Sequence, residues 1–398
     1  MQKLSIRKLW KDYTSFAVSK RKAIIVSIIN AAILTLGTYF MNNLPLFTRE
    51  NLDLYVLLDY CKGKEYVNDS VLLINIAYDK QIAQKSIDGV VVGNTDVTDR
   101  KALVELLQNL RGVDYRYIFL DVRFEASDKT EYDSLLFETI KGTDKIVVAN
   151  HSDITLASDM LKEKAAYSDY MITLTSNNFV RFQYLREEGE SMPLRAYREL
   201  YNDSIVKYGW FYTCNNGLCQ NTYAVRSMLE LENKPIMSDD GTEIIEPYFE
   251  NLNDINNREI LEILAKKKYI VIGNLIDDKH DTFFGEIPGS VLVFNAYWAL
   301  KNGENIVKPW VEVFFFILFF CISLSLFSRQ YILEKISWIR KSKSKLLHFV
   351  LTFLGYSVVL ILTTIVMYLC FGVISSIWVP ALYFSIQKAY FTYKYMKV

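Results

Sequence analysis

Two scales of hydrophobic pattern divide this chain. Toward its ends lie apolar runs long enough to cross a bilayer. Between them, short apolar runs alternate with amphipathic stretches. The first long run, Ala23 to Met41, comes directly after Lys20, Arg21 and Lys22 and predicts a membrane helix over 23–43. A basic flank of this kind stays in the cytoplasm and sends the next stretch of chain outward. The run exceeds a usual signal-peptide core, and no small-residue cleavage pattern comes after it, so a retained anchor is expected. Pro309 to Ser328 predicts a second membrane helix over 310–328, with Glu312 near its outer end. Leu346 to Tyr390 is too long for one crossing; split near Phe371-Gly372, it predicts helices over 346–369 and 372–390. Basic residues collect in the lead 1–22, in the loop 329–345 and in the tail 391–398. Those three segments are therefore expected inside, with four transmembrane helices and both ends in the cytoplasm.

That leaves 44–309 as one large extracytoplasmic domain. Ser70 to Ala77, Tyr117 to Phe124, Lys145 to Ala149 and Lys268 to Gly273 are short, nearly unbroken apolar runs. This is the pattern of strands covered on both faces. Leu103, Leu106, Leu107 and Leu110 recur at helical spacing, with Thr98 or Asp99 placed to cap the helix. Tyr132 to Ile140, Pro193 to Tyr201, Arg226 to Leu231 and Val291 to Leu300 also read as helices. Strand and helix in alternation predict an α/β domain, a parallel-type sheet with helices on both faces. The stretch from His151 to Ile255 is less regular, with strands at Tyr170 to Thr175 and Asn178 to Tyr184. It reads as an elaboration of the same sheet.

Charge and composition change the picture by exclusion. Lys+Arg and Asp+Glu both number 45 in 398 residues, which gives no basic footprint for nucleic acid. The abundant Tyr, Phe and Trp beside the apolar runs suit a membrane interface. Cys214 and Cys219 form a C-x-x-x-x-C pair in a polar loop. A disulfide is expected there if the domain faces an oxidising compartment; two independent thiols are the alternative.

The order of motifs resembles the type-two CHASE sensory domain, an extracytoplasmic module associated with cyclases and histidine kinases. Val71 to Asp79 is similar to its opening strand and following acidic residue, and Asp99-Arg100 with Ala102-Leu103 and Leu106-Leu107 to its first helix. Phe119 to Phe124, with Asp121 at its centre, is similar to its second strand, and Asp133-Ser134-Leu135 to the next helix start. Ile270 to Gly273, Asp281, Ile287-Pro288-Gly289, Asn295-Ala296 and Gly303 resemble its closing segment, and Ile377 to Pro380 its last membrane helix. The likeness covers both ends of the domain and the membrane part, not about 150–260. Where the family has His-Ala-Asn, Phe294-Asn295-Ala296 stands here. The resemblance implies a sensory domain, here without a fused kinase or cyclase.

Little catalytic chemistry is visible. The only histidines are His151, His280 and His348, and no zinc-type cluster, Walker motif or nucleophile elbow occurs. No cofactor and no resident metal are expected. Asp277 to Asp281 is the densest polar group and reads as a solvated loop. Asp79, Asp121 and Asp281 stand where the C-terminal ends of parallel strands gather ligands; the alternative is that each caps a helix or tightens a loop. The expected function is a membrane-anchored sensor or input subunit, not an enzyme. It would bind an unknown signal outside and pass it through its helices to a separate partner protein. Arg340, Lys341, Lys343 and Lys345 of the basic loop are the expected contact with that partner, and anionic lipid is the other reading. The alternatives are a non-switching envelope scaffold and an external metal-assisted hydrolase acting through Asp121 and Asp281. The expected location is a bacterial cytoplasmic membrane, multi-pass, with the domain in the periplasm; a homo-oligomer is left open.

Overall fold

The computed structural model describes residues 20–43, 54, 57–61, 66–173, 176–215, 217–231, 234–238, 242–328, 344–371 and 378–395. The chain forms two compact units, one of 1–62 with 307–398 and one of 63–306.

The second unit is built on a six-stranded sheet. Its strands are β1 (Val71–Asn75), β2 (Tyr117–Leu120), β3 (Ile146–Asn150), β4 (Ala165–Tyr167), β5 (Glu250–Asn251) and β6 (Tyr269–Gly273). They lie in the order β5-β1-β6-β2-β3-β4, and every pairing is parallel. Parallel strands are joined by crossovers that cover both faces, so successive side chains must be apolar whichever way they point. All five residues of β1 and of β6 are buried accordingly. Val71, Leu73, Tyr117, Phe119, Val147, Ala149, Tyr269 and Val271 face one core. Their neighbours Leu72, Ile74, Ile118, Leu120, Ile146, Val148, Ile270 and Ile272 face the other.

We number the helices α1 (Lys20–Asn42), α2 (Arg100–Asn109), α3 (Asp133–Lys141), α4 (Met192–Tyr201), α5 (Arg258–Leu264), α6 (Gly289–Lys301), α7 (Pro309–Phe327), α8 (Lys345–Phe371) and α9 (Trp378–Tyr395). Helices α2, α3 and α5 cover the second core, while α4 and α6 cover the first. Helices on both faces of a parallel sheet are therefore present as expected. Asp99 caps α2, its carboxylate accepting from the N–H groups of Lys101 (2.9 Å) and Ala102 (3.2 Å).

The middle of the unit elaborates the same sheet, as expected, and adds to it. It supplies both edge strands, β4 and β5, to the main sheet and also makes small antiparallel sheets of its own: Thr222–Ala224 with Ser176–Gln183 and Met171–Thr173, and the meander Val206–Tyr208, Phe211–Cys214, Gly217–Cys219. The helix expected over Arg226 to Leu231 is absent. The backbone there bonds outward, Arg226 O to Asn295 Nδ2 (2.8 Å) and Glu230 N to Asn68 Oδ1 (3.0 Å), so an internal ladder does not form. A hairpin over Lys80–Ile87 and Val90–Thr98, missed in the sequence, precedes α2.

No disulfide joins Cys214 and Cys219; both carry thiols. In the meander Cys214 lies opposite Gly217 and Cys219 opposite Tyr212, so the cysteines are diagonal neighbours on one face. Burial, and then the nearby Cys214 sulfur, pushes the Cys219 thiol up.

Among the described residues of the first unit, three helices are long and apolar enough to cross a membrane: Arg21–Met41, Pro309–Phe327 and Leu346–Cys370. The fourth expected span is corrected. A helix does run over Trp378–Tyr395, but Gln387, Lys388 and Lys394 leave it short of that standard. It packs with the others all the same. Ala31 and Leu34 of α1, Phe315 and Phe319 of α7, Leu360 of α8 and Phe384 of α9 share one apolar cluster. Asn30 is a polar hub within it: its amide donates to Ser323 Oγ (2.7 Å) and accepts from Gln387 Nε2 (3.1 Å) and the Tyr383 hydroxyl. Residues 1–19 and the loop positions Arg340, Lys341 and Lys343 lie outside the described residues; Lys345 opens α8.

Candidate functional site

The sheet itself marks where a ligand would sit. The chain leaving β1 goes to α2, and the chain leaving β2 goes to α3, both on the second face. The chain leaving β6, which lies between them, goes to α6 on the first face. Where neighbouring strands send their connections to opposite faces, a crevice opens beyond their C-terminal ends. Three residues stand there, each continuing the alternation that points to the α6 side: Asp121 after β2, His151 after β3, and Gly273 at the end of β6.

Two glycines let α6 approach this point. A Cβ on Gly273 would lie 2.6 Å from Ser290 Cβ and 3.6 Å from Asp121 Cβ. One on Gly289 would lie 2.8 Å from Asp278 Oδ2 and 3.1 Å from His280 Nε2. The first turn of α6 is thus pressed against Asp121, Asp278 and His280. No side chain caps that helix. Ser290, in the same turn, is 1% exposed, and its hydroxyl makes no hydrogen bond among the described residues. A buried polar group left so is costly unless something else satisfies it.

Four ionisable side chains converge. Burial raises Asp121 first, and Asp278 raises it further; His151 and His280 pull the other way, and the carboxyl ends at about 6. His280 Nε2 lies 3.4 Å from Asp278 Oδ1, and its ring meets Tyr170 edge-on at 4.8 Å. On the other side His151 Nδ1 lies 3.0 Å from Asp169 Oδ1. Burial pushes Asp169 up, but hydrogen bonds from Ser152 and His151 outweigh it and hold the carboxylate below its ordinary range. Arg186 closes this side, 3.4 Å from Asp169 Oδ2.

Ser168, His151 and Asp169 are the residue types of a nucleophilic triad, and the geometry argues against that chemistry. Ser168 Oγ lies 3.3 Å from both ring nitrogens of His151. A hydroxyl equidistant from both is not aligned with either lone pair, as proton removal requires. Among the described residues no group of three His, Cys, Asp or Glu side chains is placed to hold a metal ion.

Of the three expected aspartates, Asp121 alone joins this cluster. Asp79 is buried elsewhere, beyond β1: its carboxylate accepts from Asn253 Nδ2 and its carbonyl from Asp99 N (2.9 Å). Burial, Asp99 and Asp254 together raise it. This is the loop-tightening role. Asp281 is exposed on the hairpin Lys279–Thr282/Gly285–Pro288, opposite Glu286. Alternation along that strand turns His280 and Thr282 inward and Lys279 and Asp281 out. The right segment was visible in the sequence, but the members that meet the start of α6 are His280, turned inward, and the half-exposed Asp278.

Comparison of the chain with family models, with curated proteins and with solved structures finds no match.

Proposed function

We propose that this chain is a membrane-anchored sensor whose signal acts at the crevice around Asp121, His151, Asp278, His280 and Ser290. One observation carries the reading: ionisable groups and an unsatisfied buried hydroxyl meet at the first turn of α6, and α6 is the last helix before the chain runs into the apolar helix α7. A buried carboxyl raised by its surroundings, in a crevice at a sheet's switch point, is a candidate binding group. Carboxylates and imidazoles suit a small polar ligand with a cationic group toward Asp121 and Asp278 and an acceptor toward Ser290. Binding there favours one placement of α6 over another, and a ligand shifts that balance only by its difference in affinity for the two, typically ~1–3 kcal/mol. The ordered likeness to the CHASE-type sensory family supports the same reading, with the domain outside a bacterial cytoplasmic membrane and a separate protein carrying the output.

A contact between membrane helices provides the test. Asn30 of α1 and Ser323 of α7 touch at 2.7 Å. Cysteines at both positions, in a chain without its native cysteines, report that contact by crosslinking. Protons compete for the Asp121 carboxylate, so a step from pH 7.5 to 5.0 is the probe. The crosslinking rate, taken relative to the same pair carrying Asp121→Asn, should change across the step. An unchanged ratio would overturn the sensor reading and leave the non-switching scaffold.

A further inference from the structure

The crevice holds two polarities, side by side. One is made of acceptors. Asp121 and Asp278 turn carboxylates to the start of α6, and Asp278 is half-exposed, so that side opens to solvent. The other is made of donors and lies deeper. Helix α6 runs 13 residues from Gly289, and no side chain caps it. Gly289 N donates to Asp278 O (2.9 Å). The next N–H groups, of Ser290 and Val291, have no acceptor within the helix, as the geometry of any first turn dictates. Ser290 adds a hydroxyl that is 1% exposed and makes no hydrogen bond among the described residues. Uncapped N–H groups, a helix dipole and a buried hydroxyl together favour an anionic group.

Two glycines bring the polarities within reach of one small molecule. The Cβ that Gly273 lacks would lie 2.7 Å from Ser290 Oγ and 3.6 Å from Asp121 Cβ. The hydroxyl and the Asp121 side chain therefore flank the same bare stretch of backbone. The Cβ that Gly289 lacks would lie 2.8 Å from Asp278 Oδ2, which sets the second carboxylate against the same helix turn. A lone cation would neutralise the carboxylates and leave Ser290 and the helix start unsatisfied. A lone anion would satisfy the helix start and meet two carboxylates. A ligand matched to both carries each charge on a short frame, and an α-amino acid carries an ammonium and a carboxylate on one carbon.

We infer that the crevice binds a free α-amino acid, its carboxylate on Ser290 and the first-turn N–H groups of α6 and its ammonium on Asp121 and Asp278. The inference rests on the sensor reading above and gives the signal a chemical class.

Thermal melts of the full-length protein in detergent at pH 7.5 test it, with each standard L-amino acid added at millimolar concentration. At least one should raise the melting temperature by ~2 °C or more, as a ligand bound by the folded state alone does. The amide of that amino acid lacks the carboxylate, and its N-acetyl form lacks the ammonium. Each should bind at least ~10-fold more weakly than the parent. Ser290→Ala should weaken the parent by a similar factor. It should not lower the melting temperature of the free protein, because it deletes an unsatisfied group. A hydroxyl that only holds the fold would lower it, and that result would overturn the inference. So would a panel in which no amino acid shifts the melt, or an amide that binds as well as its parent. The sensor reading would survive any of these if the crosslinking ratio still changes with pH. An amino acid that binds while that ratio stays constant would sink the sensor reading alone.

Discussion

The sheet face covered by α4 and α6 ends in two unlike places. At the N-terminal ends of its strands, Tyr117 and Tyr269 lead a closed aromatic group with Phe119, Phe294, Tyr297 and Trp298. Its polar tips are matched: Tyr117 OH donates to Glu199 (2.6 Å), Tyr297 OH to Tyr269 OH (3.0 Å), and Lys301 Nζ sits 3.5 Å above the Trp298 ring. At the C-terminal ends of the same strands the residues in line are Asp121, His151 and Gly273, and there the matching fails. Asp121 is raised, Ser290 is unsatisfied, and no side chain caps α6. One end holds the fold together, and the other carries strain that a binding site can use.

Substitution separates the two ends. The largest effect belongs to the aromatic end. Tyr297→Ala removes a ring 5.1 Å from Phe119 and 5.2 Å from Tyr269 by centroid. It should destabilise the domain by ~3–5 kcal/mol, the usual result of deleting a buried ring, and lower the melting temperature of the reconstituted protein by about 10 °C or more. The crosslinking ratio between Asn30 and Ser323 should survive wherever the protein stays folded. Next comes Gly273→Ala. The added methyl would meet Ser290 Cβ at 2.6 Å, so the start of α6 must move. Overpacking of this kind costs ~1–3 kcal/mol. Here the small loss of stability should come with loss of the pH response, which the larger Tyr297→Ala loss should not bring.

Asp121→Asn runs in the opposite direction. A carboxyl whose folded value is raised to about 6 binds its proton more tightly in the folded state. Its contribution is then fully present below the ordinary carboxylate value near 4 and is lost as the pH rises from there to about 6. At pH 7.5 the wild type holds an ionised, poorly solvated Asp121 beside Asp278. The neutral amide should therefore stabilise the protein at pH 7.5 by on the order of 1–2 kcal/mol, after allowing for partial exposure, and not at all at pH 4. Thermal melts at the two pH values check it. A destabilised Asp121→Asn at pH 7.5 would place Asp121 with the framework.

How much of this contrast could be read from residues alone depends on the range over which each signal acts. The core strands were legible because burial on both faces leaves unbroken apolar runs, as in Val71–Asn75 and Tyr269–Gly273. The cap at Asp99 was legible because capping is local. The insertion of β6 between β1 and β2 was not, since strand order is set by crossovers and leaves no local mark. Without it, Asp121 could not be joined to Asp278 and His280. Parity would have helped: Asp121, His151 and Gly273 continue the alternation of Phe119, Ala149 and Val271. The cysteine pair was legible only as two alternatives, because spacing reports proximity along the chain and not redox state; the meander sets the two as diagonal neighbours, and both are thiols.

The smallest expected effect is the one that separates the crevice from the acidic loop beside it. Asp281 lies one residue from His280 and three from Asp278, yet its side chain faces solvent on the far side of the hairpin. Its cross-strand neighbour is Glu286, a like charge, so removing it relieves a weak repulsion and breaks no contact. Asp281→Ala should shift stability by no more than about 0.5 kcal/mol, in either direction, and leave the pH-dependent crosslinking ratio untouched. His280→Ala, one position earlier, should abolish that ratio's change while leaving most of the stability. If the two substitutions act alike, the signal is the charge of the loop as a whole, and the inward placement of His280 carries no special weight.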